Sequence, residues 1–319
     1  MIHKRYDFKG LRNTGNNCYI NSNTQLLKLI FDYSGINSNF DDIYYSTDIN
    51  TYNKYIEFIK KKGGININDN SQQDAQEFIQ PILNDINDIN KKFFNIEIKK
   101  LYYCKVNNII KHYNFCDNQQ SDSTLMLMLC IPENTTNTTL IELMDNYLKE
   151  ESIDQSTNNS TKKFYCQGVS VLKGIELNNI DLVSKYIITH LSKFLILNIK
   201  RFSDLMRKNS CNITIYESLS ITTYGKQDII KIADIKRDNE EINNYTLSPI
   251  KNNYILIGIT VHSGLSLHSG HYYNYSKNII DKTWSCINDN YITNVGEFSN
   301  IFKNKDVNMG AYLLVYCKV

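Results

Sequence analysis

The spacing of apolar residues along this chain changes period once, from helical to alternating, and that change limits the fold more than any composition figure. Ile20, Leu26, Leu27, Ile30 and Phe31 recur at helical intervals after a glycine-punctuated loop. A second helix is predicted where Ser71 and Asp74 form a Ser-x-x-Asp cap ahead of Phe78, Ile79, Ile82, Leu83, Ile86 and Ile89. Pro81 lies inside it, removes a backbone donor and is expected to bend it near Glu77. From Ile96 the pattern turns to strands: Ile96–Val106, Leu125–Ile131, Lys163–Leu172 and a buried Lys193–Phe202, with one helix at Leu140–Leu148. Glu150–Thr161 and Ser203–Asn253 read as polar loops, the latter over a groove. An antiparallel meander follows at Tyr254–His262, His271–Lys277, Thr283–Ile287 and Ala311–Val319. Helices first and strands after argue for α+β and against alternating βαβ units.

At 319 residues the chain can bury a large core, and a formal charge of +2 leaves nothing to attract a polyanion. No Lys/Arg block exceeds Lys60–Lys62, so neither nucleic acid nor an anionic membrane surface is expected as a partner. The mostly apolar stretch Phe194–Ile199, with Asn198 inside it, falls far short of the roughly 20 residues a spanning helix needs. Met1–Lys9 is polar and lacks the apolar core of a secretory signal, which predicts an intracellular protein, cytoplasmic or nuclear, with unglycosylated sequons. Eight cysteines in such a chain point to buried thiols, metal ligands or a nucleophile before a disulfide framework.

Cys18 stands directly after the Gly15 loop and directly before a predicted helix. A helix N-terminus stabilises anionic sulfur through unpaired N–H groups and the macrodipole, so this is a nucleophile's position. Asn13, on the same loop, can turn its amide toward a developing oxyanion. The alternative is a buried structural cysteine beside polar loop residues. A thiolate also needs a base. His3, His112 and His190 lie in a terminus, a polar loop and an aliphatic run, leaving His262, His268 and His271. His271 joins a Ser-Gly loop to the aromatic strand Tyr272–Tyr275, a fixed element beside a flexible one. If Asn278–Asp281 form the turn, Lys277 pairs with Lys282 and His271 comes opposite Asn288. An Asn carbonyl there can accept the Nδ1 hydrogen and fix the tautomer, with Asp289 the adjacent fallback.

These segments resemble the ubiquitin-specific protease family of cysteine deubiquitinases over almost the whole chain. Gly10–Gln25 looks like the cysteine box, Gln72–Phe78 the helix signature that follows, and Phe194–Phe202 the central strand. Val261–Gly264 with Ser269–Tyr273 resembles the histidine box, and Ala311–Tyr316 the closing strand. The resemblance implies a papain-like thumb, palm and fingers architecture as a single catalytic domain over 1–319: thumb to about 95, mainly fingers over 96–190, mainly palm from 191. It makes Cys18 the nucleophile, His271 the general base and acid, Asn288 the third member and Asn13 the oxyanion donor. The ubiquitin tail, basic and ending in two glycines, would thread between thumb and palm past Asp74, Glu77, Gln73, His262, Gly270 and Tyr272. Asp74 and Glu77 offer carboxylates for arginine pairing, although Asp74 is also read as a helix cap.

The implied partner is ubiquitin or ubiquitin-conjugated protein, the enzyme a monomer without cofactor. A ubiquitin-binding scaffold without turnover, and a protease for another diglycine modifier, are the competing readings. Thr14, Asn17 and Thr24 depart from the family's usual residues in the cysteine box, and Ser192 and Pro81 elsewhere. Both zinc-type Cys-x-x-Cys pairs are broken: Asn107 follows Cys104, and Val169 follows Cys166, at the third position. A replacement set using Cys116, Cys130 or His112 is the lesser alternative given their irregular spacing, and no metal is expected; Cys211, Cys286 and Cys317 are read as small apolar groups.

Overall fold

The computed structural model describes residues 7–35, 44, 46, 48–62, 64, 71–85, 93–106, 109–114, 122–152, 181–203, 205–224, 249–267 and 269–319. Helix α1 is Cys18–Ser34, α2 Ile49–Lys62 and α3 Ala75–Asp85. Strands β1 Ile96–Val106, β2 Ile109–Asn114, β3 Asp122–Thr124, β4 Leu127–Cys130 and β5 Asn137–Thr139 lead to α4, Leu140–Tyr147. Then come β6 Glu151–Ser152, β7 Asp181–Leu191, β8 Phe194–Lys200, β9 Asn212–Thr214, β10 Ser218–Tyr224, β11 Pro249–Ser266 and β12 Ser269–Lys277. The chain closes with β13 Trp284–Asn288, β14 Tyr291–Gly296, α5 Phe298–Ile301, α6 Lys305–Gly310 and β15 Ala311–Lys318.

The larger sheet runs β14-β13-β12-β11-β15-β8-β4, with β10 also paired to β11; a second sheet, β2-β1-β7-β6 with β3 on β1, extends from it. The apolar runs of β15 and of β8, the latter interrupted by buried Asn198, follow from burial on both faces. Phe194 and Ile196 of β8 and Leu313 and Val315 of β15 pack toward α1 and α3. Leu195, Leu197, Ile199, Leu314 and Tyr316, between them in sequence, enter the opposite core with α4, β1 and β7. The helices therefore rest on one face of a sheet whose other face is equally buried, and the crossing is close: a Cβ at Gly258 would lie 2.8 Å from Leu29. Asn274 of β12 reinforces the crossing by donating to the Ser22 carbonyl of α1 at 3.1 Å.

Several sequence expectations change in detail. Helix α3 starts three residues after the predicted Ser71 cap region because Asp74 is itself the cap, its Oδ1 accepting from the Gln76 N–H at 2.6 Å. The helix continues through Pro81 to Asp85; Ile86 and Ile89 lie outside the described residues. Helix α2 was not anticipated, although Tyr55 and Ile56 form an apolar step that it buries. The stretch expected as loops over 203–253 contains β9, β10 and the start of β11. Leu219 and Ile221 there alternate with exposed serines, a strand pattern partly hidden by polar neighbours. Edge strand β14 and the short helices α5 and α6 were also unanticipated, while the predicted strand Lys163–Leu172 lies outside the described residues.

Candidate active site

Cys18 is the first residue of α1, and local chemistry puts it there. Gly15 adopts φ 130° and Asn16 φ 50°, backbone positions open to Gly and tolerated by Asn. Asn13 Oδ1 accepts from the N–H groups of Gly15 at 3.0 Å and Asn17 at 3.2 Å, folding the loop onto itself. Asn17 occupies the N-cap position without capping, because its side-chain amide donates to Thr14 Oγ1 at 2.7 Å. Two of the departures from the family pattern thus satisfy each other. Thr24, another, is hydrogen-bonded to the Tyr55 hydroxyl of α2 at 2.8 Å. With no side-chain cap on α1, its first-turn N–H groups remain oriented toward the sulfur's end of the helix.

His271 faces this thiol from β12. Its Nε2 lies 2.6 Å from Asn288 Oδ1, and the Cys18 thiol is close enough to act on its charge. The interaction with Cys18 pushes the imidazole up to about 9; burial opposes this, and the Asn288 bond and the Asp289 carboxylate add to it. Two corrections to the hairpin arithmetic accompany this result. Lys277 pairs with Trp284, two residues beyond the predicted partner, because the turn is longer, with Asn278 N–H reaching the Thr283 carbonyl. A two-residue shift preserves the face on which each side chain lies, so His271 and Asn288 still meet. The nitrogen held by Asn288 is Nε2, which leaves Nδ1 for the sulfur, the reverse of the expected assignment.

Asp289 ties the two walls together. It sits at φ 50°, its carbonyl accepts from Leu11 N–H at 2.8 Å, and its carboxylate accepts from Asn21 at 2.7 Å and Asn13 at 3.0 Å. Its Oδ2 lies 3.7 Å from His271 Nε2. A carboxylate can only accept, so the Asn13 NH₂ faces the cleft side and keeps one hydrogen for another oxygen. A thiol, an imidazole held by a carboxamide, and an amide donor beside them are the parts a thiolate acyl transfer needs.

The remaining predicted residues are spread around these. Gly270 is exposed beside the sulfur, and beneath it lies His262, which is fully buried, against Phe202 and Tyr272. A Cβ at Gly270 would come within 2.5 Å of the His262 ring. Burial, with the charges of Lys208 and His271, pushes His262 down to about 4, so it supports the cleft as a neutral ring below its surface. Tyr272 is buried beside it. Asp74 is buried as well: besides capping α3 it accepts from the Tyr312 hydroxyl at 2.6 Å. Its carboxyl is raised, chiefly by burial. Glu77 is exposed in the first turn of α3, and half-buried Gln73 donates to Ser71 Oγ. Gln72 and Asn21 also reach the site, and their only sequence signal is their place in the Gln72–Phe78 and Gly10–Gln25 motifs. Cys116 and Cys166 lie outside the described residues, as do the side chains of Cys104 and His112. Among the described residues no group of His, Cys, Asp or Glu is arranged to hold a metal ion, and no helix is long and apolar enough to cross a membrane.

The fold is shared with known proteins. The SAGA Ubp8/Sgf11/Sus1/Sgf73 DUB module bound to ubiquitin aldehyde is similar at TM-score 0.64 and 21% identity, covering 100% of this chain and 71% of that one. The module bound to monoubiquitin is similar at TM-score 0.61 and 21% identity, covering 98% and 69%. No curated protein matches. The family model for ubiquitin carboxyl-terminal hydrolase matches residues 9–316. A match running from Lys9 to Tyr316 leaves little of the sequence outside it, and the chain belongs to the ubiquitin carboxyl-terminal hydrolase family, as a cysteine-type deubiquitinase.

Proposed function

We propose that Cys18 attacks the carbonyl of ubiquitin's C-terminal glycine, with His271 as the proton carrier. The imidazole takes the thiol proton, leaving an ion pair, and gives it to the departing lysine amine. Asn288 fixes the ring, and Asn13, oriented by Asp289, donates to the oxyanion as the tetrahedral intermediate forms. Water, deprotonated by His271, then hydrolyses the thioester. The observation that carries this assignment is the position of His271 between two partners, the Cys18 thiol and Asn288 Oδ1 at 2.6 Å.

Ubiquitin as the substrate is supported by the family match and by the ubiquitin-bound state of the similar modules. Its tail enters between α3 and β12, where exposed Glu77 offers a carboxylate to a basic residue and Gly270 leaves a narrow floor that favours glycine next to the sulfur. The test is a ubiquitin probe carrying a C-terminal electrophile. The wild-type chain forms a covalent adduct and Cys18→Ala does not; an adduct that survives Cys18→Ala would overturn the assignment. Capture of a different diglycine modifier in preference to ubiquitin would move the substrate and keep the chemistry.

A further inference from the structure

Gln72 lies on the loop that leads into α3, on the opposite wall of the cleft from β12. Its Nε2 donates to the Gly270 carbonyl at 2.8 Å and stands 3.9 Å from Cys18 Sγ. A primary amide carries two N–H groups, which suffices for one donor to each acceptor. The two contacts flank the reacting atoms, since Gly270 directly precedes His271 in sequence. We propose that Gln72 is an amide donor to the Cys18 sulfur and the positioning residue that holds the Gly270–His271 segment against it.

The surroundings favour this role. Gly270 is pinned from below by the His262 ring, which leaves its carbonyl side as the place where an outer restraint can act. Gln72 provides that restraint from another element. The nearby carboxylate of Asp74 does not compete for the amide, because it is occupied by Tyr312 and the α3 N–H groups. Gln73, the adjacent amide, is turned to Ser71. A long N–H contact to a neutral thiol is weak, whereas the same donor to a thiolate is charge-assisted, so the interaction strengthens in the ion pair that attacks. The titratable groups around His271 are Cys18 from α1 and Asp289 after β13 on its own face and His262 of β11 across the ribbon, and Gln72 adds a neutral donor.

This inference rests on Cys18 as nucleophile, and the experiment separates the two. In the full chain, alkylation of Cys18 by iodoacetamide is followed by peptide mass spectrometry from about pH 5 to pH 9, beside steady-state hydrolysis of a C-terminal ubiquitin amide. Gln72→Ala is expected to slow alkylation near pH 6 by about three- to tenfold and to lower kcat by about tenfold, with KM changed less than about twofold. Gln72→Glu, of the same shape but turning an acceptor on the carbonyl and the sulfur, should be slower still. Unchanged alkylation and kcat, or a rise in KM alone, would overturn the proposal. If Cys18→Ala retained hydrolysis, the nucleophile assignment itself would fail; a dead Cys18→Ala beside normal Gln72 variants would remove only Gln72's role.

Discussion

His262 and His271 lie on neighbouring strands of one hairpin, and the fold makes opposite use of them. His262 pairs in register with Tyr272 and Ser263 with His271, so the two rings fall on opposite faces of the β11–β12 ribbon. On the inner face, His262 is fully buried among Phe202 and Tyr272, with both ring nitrogens lacking partners among the described residues, and it is held down to about 4. On the cleft face, His271 is about one-third exposed, meets a thiol, a carboxamide and a carboxylate, and is pushed up to about 9. The imidazole is the same in both places. Desolvation without a partner favours its neutral form, and hydrogen bonding to an acceptor favours the charged one. What a strand face presents thus decides whether an imidazole stays neutral or can take up a proton.

The comparison breaks most visibly at the exposed ring. His271→Ala is expected to lower kcat for ubiquitin-amide hydrolysis by about 10²- to 10⁴-fold, as loss of a general acid–base does, in a steady-state assay. A loss below tenfold would mean the exposed ring is not the proton carrier. Next comes the glycine separating the rings. Gly270→Ala forces a Cβ onto His262 and should cost about 1–3 kcal/mol of stability by denaturant titration, and shrinking the ring with His262→Ala in the same chain should recover part of it.

The acid limb sharpens the contrast. Because His262 is depressed, the unfolded chain binds a proton below about 6.5 that the native chain refuses until about 4, so stability from this group falls as pH drops through that window. His271 runs the other way: its contribution is fully present below about 6.5 and is lost as pH rises through about 9. His262→Leu should therefore flatten the acid slope of the denaturant midpoint and leave the alkaline slope in place. The smallest effect is expected from Asp289→Asn, which removes a charge 3.7 Å from Nε2 and moves the His271 titration downward in imidazole NMR spectra.

Most of the candidate site was legible because its signals are local. A helix start following Gly15 marks Cys18, and a strand leaving a Ser-Gly loop marks His271. Asn288 was reached through a register that was two residues out, and the answer survived because side chains on a strand repeat every two residues. A one-residue error would have put it on the wrong face. Helix α2 was not legible, since Tyr55, Ile56 and Lys60 become buried only against partners elsewhere in the chain. Asp74 reads equally well as cap or substrate contact until Tyr312, 238 residues away, takes up its carboxylate.

What the sequence determined by itself was the order and type of the main helices and of the longer palm strands, the class of the chemistry and the candidate residues for it, because period, capping and turn residues act over a few positions. The tertiary structure alone decided which nitrogen of His271 Asn288 holds, that His262 is buried, that Thr14 satisfies Asn17, and that Asn21 and Gln72 reach the site. Each depends on side chains from distant segments meeting within hydrogen-bond range, and no local preference encodes such a meeting.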